Sequence, residues 1–552
     1  MNRGLLCTNC RLDGTPCNLA AQPRRKYVDG SSLPRFIKRL PCRLQSQEIK
    51  SLRTKGALIV PKPQILWPLI EAYIDHVHPY MPVIDIQQLL ITIFQKNAHG
   101  RLSLFLLQAI LFAGAHFIAE NLLVIAGYRD RDTARRIFFQ RAKVLYDLKT
   151  EEDQLTLVQG LLLLSFWHGT PDNTTGCWHW AGLNITHALR MGLQEETSSR
   201  DMDMPPHQRG LRRRLWWCVY IRDCLTALWM QRLPRIPNEA ANIPTLTIED
   251  FGDPISSIPL PHFVANSAYL SSVEVQNKLA SFFIDYSILC VHVSRVLQIK
   301  FSLPKQHLSA DEIGSVENEM ASDGMGDSLL QRLRKCESEL HGWLLDTGSR
   351  YDSDIDAGAS DLVRIQISLV QMLYSTALVY LLSERFALFP TETTFLKITQ
   401  HARLVTEIMT DISKRKIIQY LPVTAVTIIV SAITIHGMEI SSPDPATRSQ
   451  GYQSLSKGLT CLNELSHTYP AARLANILYE DSTFGSSAGL PFEALHRGRG
   501  IYSSFTRRIH QTEESFRTSL ESCMVMGNNQ SVLESLSGPP ELENSTGFPL
   551  FN

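Results

Sequence analysis

"RRRLWWCVYIRDCLTALWMQRLPRIP", the stretch from Arg212 to Pro237, joins an aromatic-rich run to a segment that prolines interrupt. Its first part predicts a helix over Leu211–Gln231, and the prolines predict an irregular connector over Leu233–Phe251. Similar helical patterns, separated by short breaks at glycine, proline or asparagine, recur along most of the chain, whereas strand-like alternation is rare. The sequence therefore predicts an all-α fold.

The side chains of this predicted helix have two interpretations. Trp216 and Trp217 are expected in the core, where large aromatic side chains usually lie, with Asp223 as a paired or capping carboxylate. Alternatively, the same three residues line a pocket for a regulatory ligand. Cys218 and Cys224 are six residues apart, hence on different faces of the helix, and are expected to be buried apolar side chains.

The helical pattern extends in both directions from this stretch. It begins at about Ile65, where Leu66, Ile70, Tyr73 and Val77 recur at three- and four-residue spacing before two prolines end the helix. The other predicted helices are Leu104–Glu120, Arg131–Leu148, Gln154–His168, Trp178–Met191, Ala265–Gln298, Ser328–Leu345, Leu362–Ser383, Thr394–Ser413 and Leu421–Met438.

Composition narrows the class of protein. The 552 residues are 44% hydrophobic and 20% charged, with a formal net charge of zero, which is typical of a chain that buries a core. The longest apolar stretch, Leu155–Trp167, is thirteen residues long. A membrane-spanning helix needs about eighteen or more, so this stretch predicts a buried core helix, and we expect no membrane partner. The eleven cysteines are scattered apart from the first three, which argues against a disulfide-stapled secreted protein.

The first residues combine cysteines with basic side chains. Cys7, Cys10 and Cys17 have C-x2-C-x6-C spacing, and thiolates at such spacing are typical zinc ligands. Between Met1 and Lys62 there are thirteen Lys or Arg and three Asp or Glu, a basic excess that favours contact with a polyanion. Because a tetrahedral structural zinc site needs four ligands, these three cysteines form an incomplete set.

Several motifs, in the same order along the chain, resemble those of fungal zinc-cluster transcription factors. CTNCRLDGTPC, with the following PRRKY, is similar to the second half of their six-cysteine binuclear zinc cluster. LIEAYIDHVHPYMPVID, from Leu69 to Asp85, resembles the opening of their helical middle homology region, and SLRTKGALIVP with FAGAHF is similar to the cutinase transcription factor-like branch. The region's Arg-Arg-x-Trp-Trp…Asp signature is matched by Arg213, Trp216, Trp217 and Asp223.

This resemblance implies a nuclear, DNA-binding regulator of transcription for an inducible metabolic or secondary-metabolite gene set. In the family, six cysteines hold two zinc ions, and a first C-x2-C-x6-C half presents the residues that read DNA bases. This chain matches only the second half, so the resemblance makes Cys7, Cys10 and Cys17 partial zinc ligands and assigns no base-reading residue. The residues expected to contact DNA phosphates or to act in nuclear import are Arg11, Arg24, Arg25 and Lys26.

Other partners and functions follow from the same resemblance or compete with it. Besides DNA, we expect a second copy or a related factor, in a homodimer or heterodimer, and a small-molecule effector.

The alternative is a non-DNA-binding interaction protein whose helical region dimerises with a full-length factor. A hydrolase is a third hypothesis, since "GSSAG" at Gly485–Gly489 matches the G-x-S-x-G motif. That motif needs a preceding strand in a parallel sheet, which the sequence does not predict, so we expect no enzymatic activity.

Changes in composition divide the chain into six segments. The tail mixes acidic with apolar residues, which fits either an activation segment or terminal disorder, and we favour disorder. The predicted segments are a partial zinc-cluster domain at 1–29, a basic linker at 30–62, the helical middle homology domain at 63–300, a flexible polar insertion with a short helix at 301–360, a helical continuation at 361–522 and a disordered tail at 523–552.

Overall fold

The regular secondary structure of this protein is helical. The computed structural model describes residues 33–41, 43–94, 101–167, 176–195, 204–238, 244–252, 255, 267–302, 325–356, 359–473, 475–476 and 479. Within these ranges no strand occurs, and an isolated β-bridge joins Ile37 to Leu102. The prediction of an all-α fold is confirmed.

Helices of very different length alternate with short turns. Those that precede the proline-rich connector are α1 (Ser46–Thr54), α2 (Pro63–His76), α3 (Ile86–Phe94), α4 (Leu104–Gly114), α5 (Glu120–Ile125), α6 (Arg131–Asp147), α7 (Gln154–Leu164), α8 (Cys177–Arg190) and α9 (Pro206–Met230). Those that follow are α10 (Val273–Ser302), α11 (Met325–Asp356), α12 (Asp361–Leu388), α13 (Glu392–Lys414), α14 (Thr424–Ile440) and α15 (Pro445–Ser466), with 3-10 turns at Ile248–Phe251 and Ile418–Tyr420.

Aspartate caps define where several helices begin. Asp130 accepts a hydrogen bond from the backbone N–H of Thr133 at 2.7 Å at the start of α6, and Asp153 accepts one from Thr156 at 2.9 Å at the start of α7. The bond from Thr133 lowers the pKa of Asp130 to about 2, because it favours the ionised carboxylate. Each such cap stabilises a helix by about 1 kcal/mol, so local sequence sets these boundaries.

One predicted helix is shorter in the structure. The pattern predicted a single helix over Leu104–Glu120, but α4 ends at Gly114. Just beyond it, the ring of His116 packs against the ring of Tyr469 with a centroid distance of 4.4 Å. The chain therefore leaves the helix to make a contact with a residue far away in the sequence.

Another predicted helix is longer in the structure. The sequence predicted Ser328–Leu345 followed by a polar break, but α11 continues to Asp356, so the predicted break is wrong. The extension is tied to α10 through Asp285, whose carboxylate accepts hydrogen bonds from Arg350 and from Tyr351, both at 3.0 Å. Tertiary contacts therefore override the polar composition of this segment.

Helix α15 lies within the predicted helical continuation at 361–522, although sequence analysis gave it no bounds. Gly451 and Gly458 face α14, and a Cβ atom at either position would lie 2.8 Å from the nearest side-chain carbon, of Glu439 and Ile433 respectively. The glycines thus allow two helices to approach closely, at the expense of intrinsic helix propensity.

The first half of the protein is built around α4. All eleven residues of this helix are buried, and α2, α6 and α7 pack around it. A helix that is apolar on every side can be stable only inside a protein. The surrounding helices therefore pack against α4 because this contact removes its apolar surface from water.

The two halves share a continuous core, in which α9 packs against α7, α8, α10 and α14. Two helices among the described residues, Val273–Phe301 and Asp361–Leu388, are long and apolar enough to span a bilayer. In the fold, 67% of the apolar window of the first and 94% of that of the second is buried. Both therefore act as core helices here.

A buried polar network fastens α13 to α14. Glu439, which is fully buried, pairs with Arg403 and accepts a hydrogen bond from His436 at 2.9 Å. The other ring nitrogen of His436 lies 2.9 Å from the hydroxyl of Thr406. The charge of Glu439 is tolerated in the core because both of its carboxylate oxygens have partners.

We predict that Gly114→Ala destabilises the protein. A Cβ atom at this position would lie 2.1 Å from the carbonyl oxygen of Leu69, so α2 and α4 would have to separate. We expect the free energy of unfolding to fall by about 1–3 kcal/mol, measured by chemical denaturation. Gly437 of α14 is the matched control, because nothing lies within 4 Å of its Cβ position.

In the control, Gly437→Ala is expected to raise the free energy of unfolding by up to about 1 kcal/mol, through helix propensity alone. Equal effects of the two substitutions would contradict the close approach of α2 and α4.

Candidate functional site

Much of the predicted DNA-binding machinery lies outside the described residues. This applies to the predicted zinc ligands, the predicted phosphate-contacting residues and the hydrolase-like motif, namely Cys7, Cys10, Cys17, Arg11, Arg24, Arg25, Lys26 and Gly485–Gly489. Within the part of the chain that the structure describes, no group of three or more His, Cys, Asp or Glu is arranged to hold a metal ion.

The signature residues all lie on α9, a helix of 25 residues. Every residue from Arg214 to Leu228 is buried, and Trp216 and Trp217 are 0% and 1% exposed. The prediction that both tryptophans are core residues is confirmed. Cys218 and Cys224 are buried as well, which raises the pKa of both thiols because a thiolate would lose its hydration.

Arg213 holds the far end of the connector that follows α9. We call the described residues of this connector, 233–238 and 244–251, the strap. One guanidinium nitrogen of Arg213 donates to both carboxylate oxygens of Asp250, at 2.8 and 3.0 Å. Asp250 also accepts the backbone N–H of Thr247 at 2.9 Å and so caps the 3-10 turn there. The ion pair thus fixes a turn as well as a side chain.

The middle of the strap contacts two aromatic residues of the same helix. The indole N–H of Trp217 donates to the carbonyl oxygen of Pro244 at 3.3 Å, and the hydroxyl of Tyr220 donates to Asn238 at 3.1 Å. The amide of Asn238 in turn donates to Gln298 of α10 at 2.6 Å. The strap is therefore held between α9 and α10.

Asp223 anchors the beginning of the strap. One of its carboxylate oxygens accepts the backbone N–H groups of Arg235 and Ile236, at 2.6 and 2.8 Å. Burial raises the pKa of Asp223, although these hydrogen bonds oppose the shift. The prediction was a paired or capping carboxylate, and Asp223 binds two backbone N–H groups of the strap without capping a helix. Arg235 then stacks its guanidinium 3.4 Å from the ring centroid of Trp178, which extends the contact to α8.

The order of these contacts shows how the strap runs. Arg213, Trp217, Tyr220 and Asp223 are spaced by four, three and three residues, so they form one stripe of α9. Their partners follow the opposite order along the chain, from Asp250 back to Arg235 and Ile236. The strap therefore lies antiparallel along the signature face of the helix. Sequence analysis missed Tyr220, although its spacing from Trp217 and Asp223 places it on the same stripe.

The other side of α9 carries a buried arginine that sequence analysis also missed. Arg222 is 4% exposed and donates to the hydroxyl and the carbonyl oxygen of Ser165, at 2.8 and 2.5 Å. Its guanidinium lies 4.2 Å from the ring centroid of Phe166. Within a helical pattern, the sequence alone does not distinguish an arginine that is buried from one that is exposed.

Two cavities lie where the first helices meet the start of α14, and Val423 lines both. The smaller one is bordered by Arg222, Cys177 and Thr427, and the larger one by Tyr80, Arg135 and Tyr469, among others. None of the four signature residues lines either cavity. Neither cavity therefore supports the alternative interpretation, in which Trp216, Trp217 and Asp223 line a ligand pocket.

Comparison with known proteins identifies the helical region. A family model described as "Fungal specific transcription factor domain" matches residues 70–352, from within α2 to within α11, and so includes α9 and the strap. The chain belongs to this family. The match agrees with the resemblance of the sequence motifs to the middle homology region of fungal transcription factors.

Individual relatives carry related names. Cutinase transcription factor 1 beta of Fusarium vanettenii is 31% identical over 463 residues, which are 81% of this chain and 52% of the relative. A transcription factor of Fusarium pseudograminearum is 30% identical over 86% of this chain and 54% of its own length. Transcription factor cpaR of Aspergillus oryzae is 31% identical over 52% of this chain and 50% of its own length.

The chain thus spans about half the length of the curated relatives that it matches. Each of these three relatives is named as a transcription factor, and none of the three names is that of an enzyme.

We predict that Asp223→Ala releases the strap. The substitution leaves two backbone N–H groups without their acceptor, and each such loss costs about 1–3 kcal/mol. Amide hydrogen exchange measured by mass spectrometry should show faster exchange at residues 235–238 and 244–251 than in the wild-type protein. Asp346→Ala removes an exposed carboxylate of α11 and is the control.

We expect the control to exchange like the wild type. If Asp223→Ala leaves the exchange of the strap unchanged, then Asp223 does not anchor it.

Proposed function

We propose that this protein regulates transcription in the fungal nucleus, and that it controls an inducible metabolic or secondary-metabolite gene set. The observation that carries the proposal is the family match over residues 70–352. The names of the relatives, which include regulators of cutinase and of the fusaric acid cluster, support it. We expect DNA as a partner, through the basic residues near the first cysteines.

In this proposal the helical region is the regulatory part of the protein. Its signature helix fixes the strap by an ion pair at Arg213 and by two backbone hydrogen bonds at Asp223. Helix α9 also packs against α14, and residues of both helices line the smaller cavity. A movement of the strap or of the cavity walls would therefore alter the contacts between the two halves of the protein. We propose that Arg213, Trp216, Trp217 and Asp223 act in regulation by holding this arrangement rather than by touching DNA.

Zinc is the cofactor that the family resemblance implies. Cys7, Cys10 and Cys17 supply thiolates of the right chemistry, but three are one fewer than a structural tetrahedral site needs. Within this chain the set does not complete the site. Zinc-bound thiolates would order the loop and bring Arg11, Arg24, Arg25 and Lys26 to DNA phosphates.

The regulatory role can be tested by fusing the chain to an unrelated DNA-binding module in a fungal reporter strain. We expect the fusion to change reporter transcription severalfold relative to the module alone. The Asp223→Ala fusion should lose most of this effect, because the strap is released, whereas Asp346→Ala should behave like the wild type. Protein abundance measured by immunoblotting separates loss of regulation from loss of protein.

An inactive wild-type fusion of normal abundance would contradict the regulatory proposal. If the same protein instead forms a stable complex with a second transcription factor, the interaction-protein hypothesis is favoured. Light scattering of the purified chain, alone and with that factor, distinguishes a homodimer from a heterodimer.

Zinc binding has a separate test. We expect the purified 552-residue chain to retain less than about one half zinc ion per molecule, because an open three-thiolate site binds weakly. The measurement is elemental analysis by plasma mass spectrometry after dialysis, with a Cys7→Ser, Cys10→Ser, Cys17→Ser variant as the control. One or more zinc ions per wild-type molecule, absent from the variant, would show that the set is completed.

A further inference from the structure

Most of the basic segment that precedes α2 is folded against the helical region. Residues 33–62 contain eight Lys or Arg and one Asp or Glu. Ile37 is 4% exposed and forms a β-bridge with Leu102, and Leu52 of α1 is fully buried. This part of the predicted linker is therefore a surface of the folded protein, on which the charges have defined positions.

The acidic side chains next to this segment are already engaged. Lys38 donates a hydrogen bond to Glu151 at 2.8 Å, and Arg43 forms an ion pair with Glu152 at 3.3 Å. Glu48, the acidic residue of the segment itself, accepts a backbone N–H at the start of α1 at 2.7 Å. These contacts bind the segment to the turn before α7, and they leave its other basic side chains without a compensating charge.

Three of the remaining basic side chains lie on or directly after α1. Lys50, Arg53 and Lys55 are exposed, and none of the three forms an ion pair with another described residue. Lys50 and Arg53 are three residues apart and so share one face of the helix, while Lys55 directly follows its end. Ile49 and Leu52 pack in the core on the opposite face and hold the helix in place.

We propose that the α1 basic surface, formed by Lys50, Arg53 and Lys55, binds the phosphate backbone of duplex DNA. The three positions extend over about 7.5 Å along the helix axis. Phosphates of one DNA strand follow one another every ~3.4 Å along the duplex, so three long side chains reach two or three successive phosphates. Such contacts supply affinity without choosing a base sequence. Because α1 is held by its buried face, less entropy is lost on binding than for a flexible basic tail.

The place of this surface in the chain favours DNA over other polyanions, an argument that rests on the proposed function. Lys26, which is expected to contact DNA phosphates, stands seven residues before Leu33, the first residue that the structure describes. A chain of that length spans at most about 25 Å, which is less than one turn of a duplex at ~34 Å. A duplex held at Lys26 therefore lies within one turn of the folded basic segment.

The test is fluorescence anisotropy of a labelled duplex of about 20 base pairs and arbitrary sequence, titrated with the purified full chain at several salt concentrations. A duplex without a chosen site measures phosphate contacts separately from base reading and from gene regulation. We expect saturable binding by the wild-type chain that weakens steeply as the salt concentration rises.

The α1 variant, Lys50→Gln with Arg53→Gln and Lys55→Gln, is expected to lose both affinity and salt dependence. The slope of log K against log salt should become shallower by about two to three, because each lost phosphate contact removes about 0.9. At about 50 mM salt, the affinity should fall at least about tenfold.

The matched control is an α11 variant that carries Arg332→Gln, Arg334→Gln and Lys335→Gln. These three side chains are exposed as well, so the control changes the net charge by the same amount at a different surface. It should keep the wild-type affinity and salt dependence. Because all six positions are exposed, both variants should unfold at the wild-type temperature, which separates loss of binding from loss of structure.

Three results would overturn the proposal. They are the absence of saturable duplex binding by the wild-type chain at low salt, wild-type affinity and salt dependence in the α1 variant, and equal losses in the α1 and α11 variants. The last result would show that net charge alone controls binding. An inactive reporter fusion together with duplex binding that depends on α1 would count against the proposed function instead.

Discussion

A helix that is buried on all sides must satisfy its charged side chains inside the protein, and α9 is such a helix. The segment from Arg214 to Leu228 is buried throughout, although it includes Arg222 and Asp223. A buried charge left without partners costs about 3–5 kcal/mol. Arg222 therefore requires Ser165 and the ring of Phe166, and Asp223 requires the first backbone N–H groups of the strap. The course of the chain before and after α9 follows from these requirements.

The signature residues serve one purpose in this arrangement, which is to hold the strap. Arg213, Trp217 and Asp223 face the strap and bind it against α9. Hydrogen-bonded polar groups in a buried setting make a region rigid. The structure therefore favours a structural role for the signature.

Sequence reasoning was most successful where the signal is local. The class of the fold and the burial of Trp216 and Trp217 were predicted, and Asp223 was expected to be a paired or capping carboxylate. It failed where a polar run imitates a break, as in the extension of α11 to Asp356, and it gave no bounds for α15. It also failed for Arg222, because burial of an arginine depends on neighbours that are distant in the chain.

By itself the sequence determined the helical class, the caps that begin α6 and α7, the burial of Trp216 and Trp217, and membership in the fungal transcription factor family. These depend on residue types at short, regular spacing, which the chain carries whether or not it is folded. Only the tertiary structure decided the antiparallel course of the strap and the close approach of α14 and α15. Such features depend on contacts between residues that are far apart in the sequence, as between Tyr351 and Asp285 or between Tyr469 and His116. Local sequence patterns do not specify which distant residue a side chain will contact.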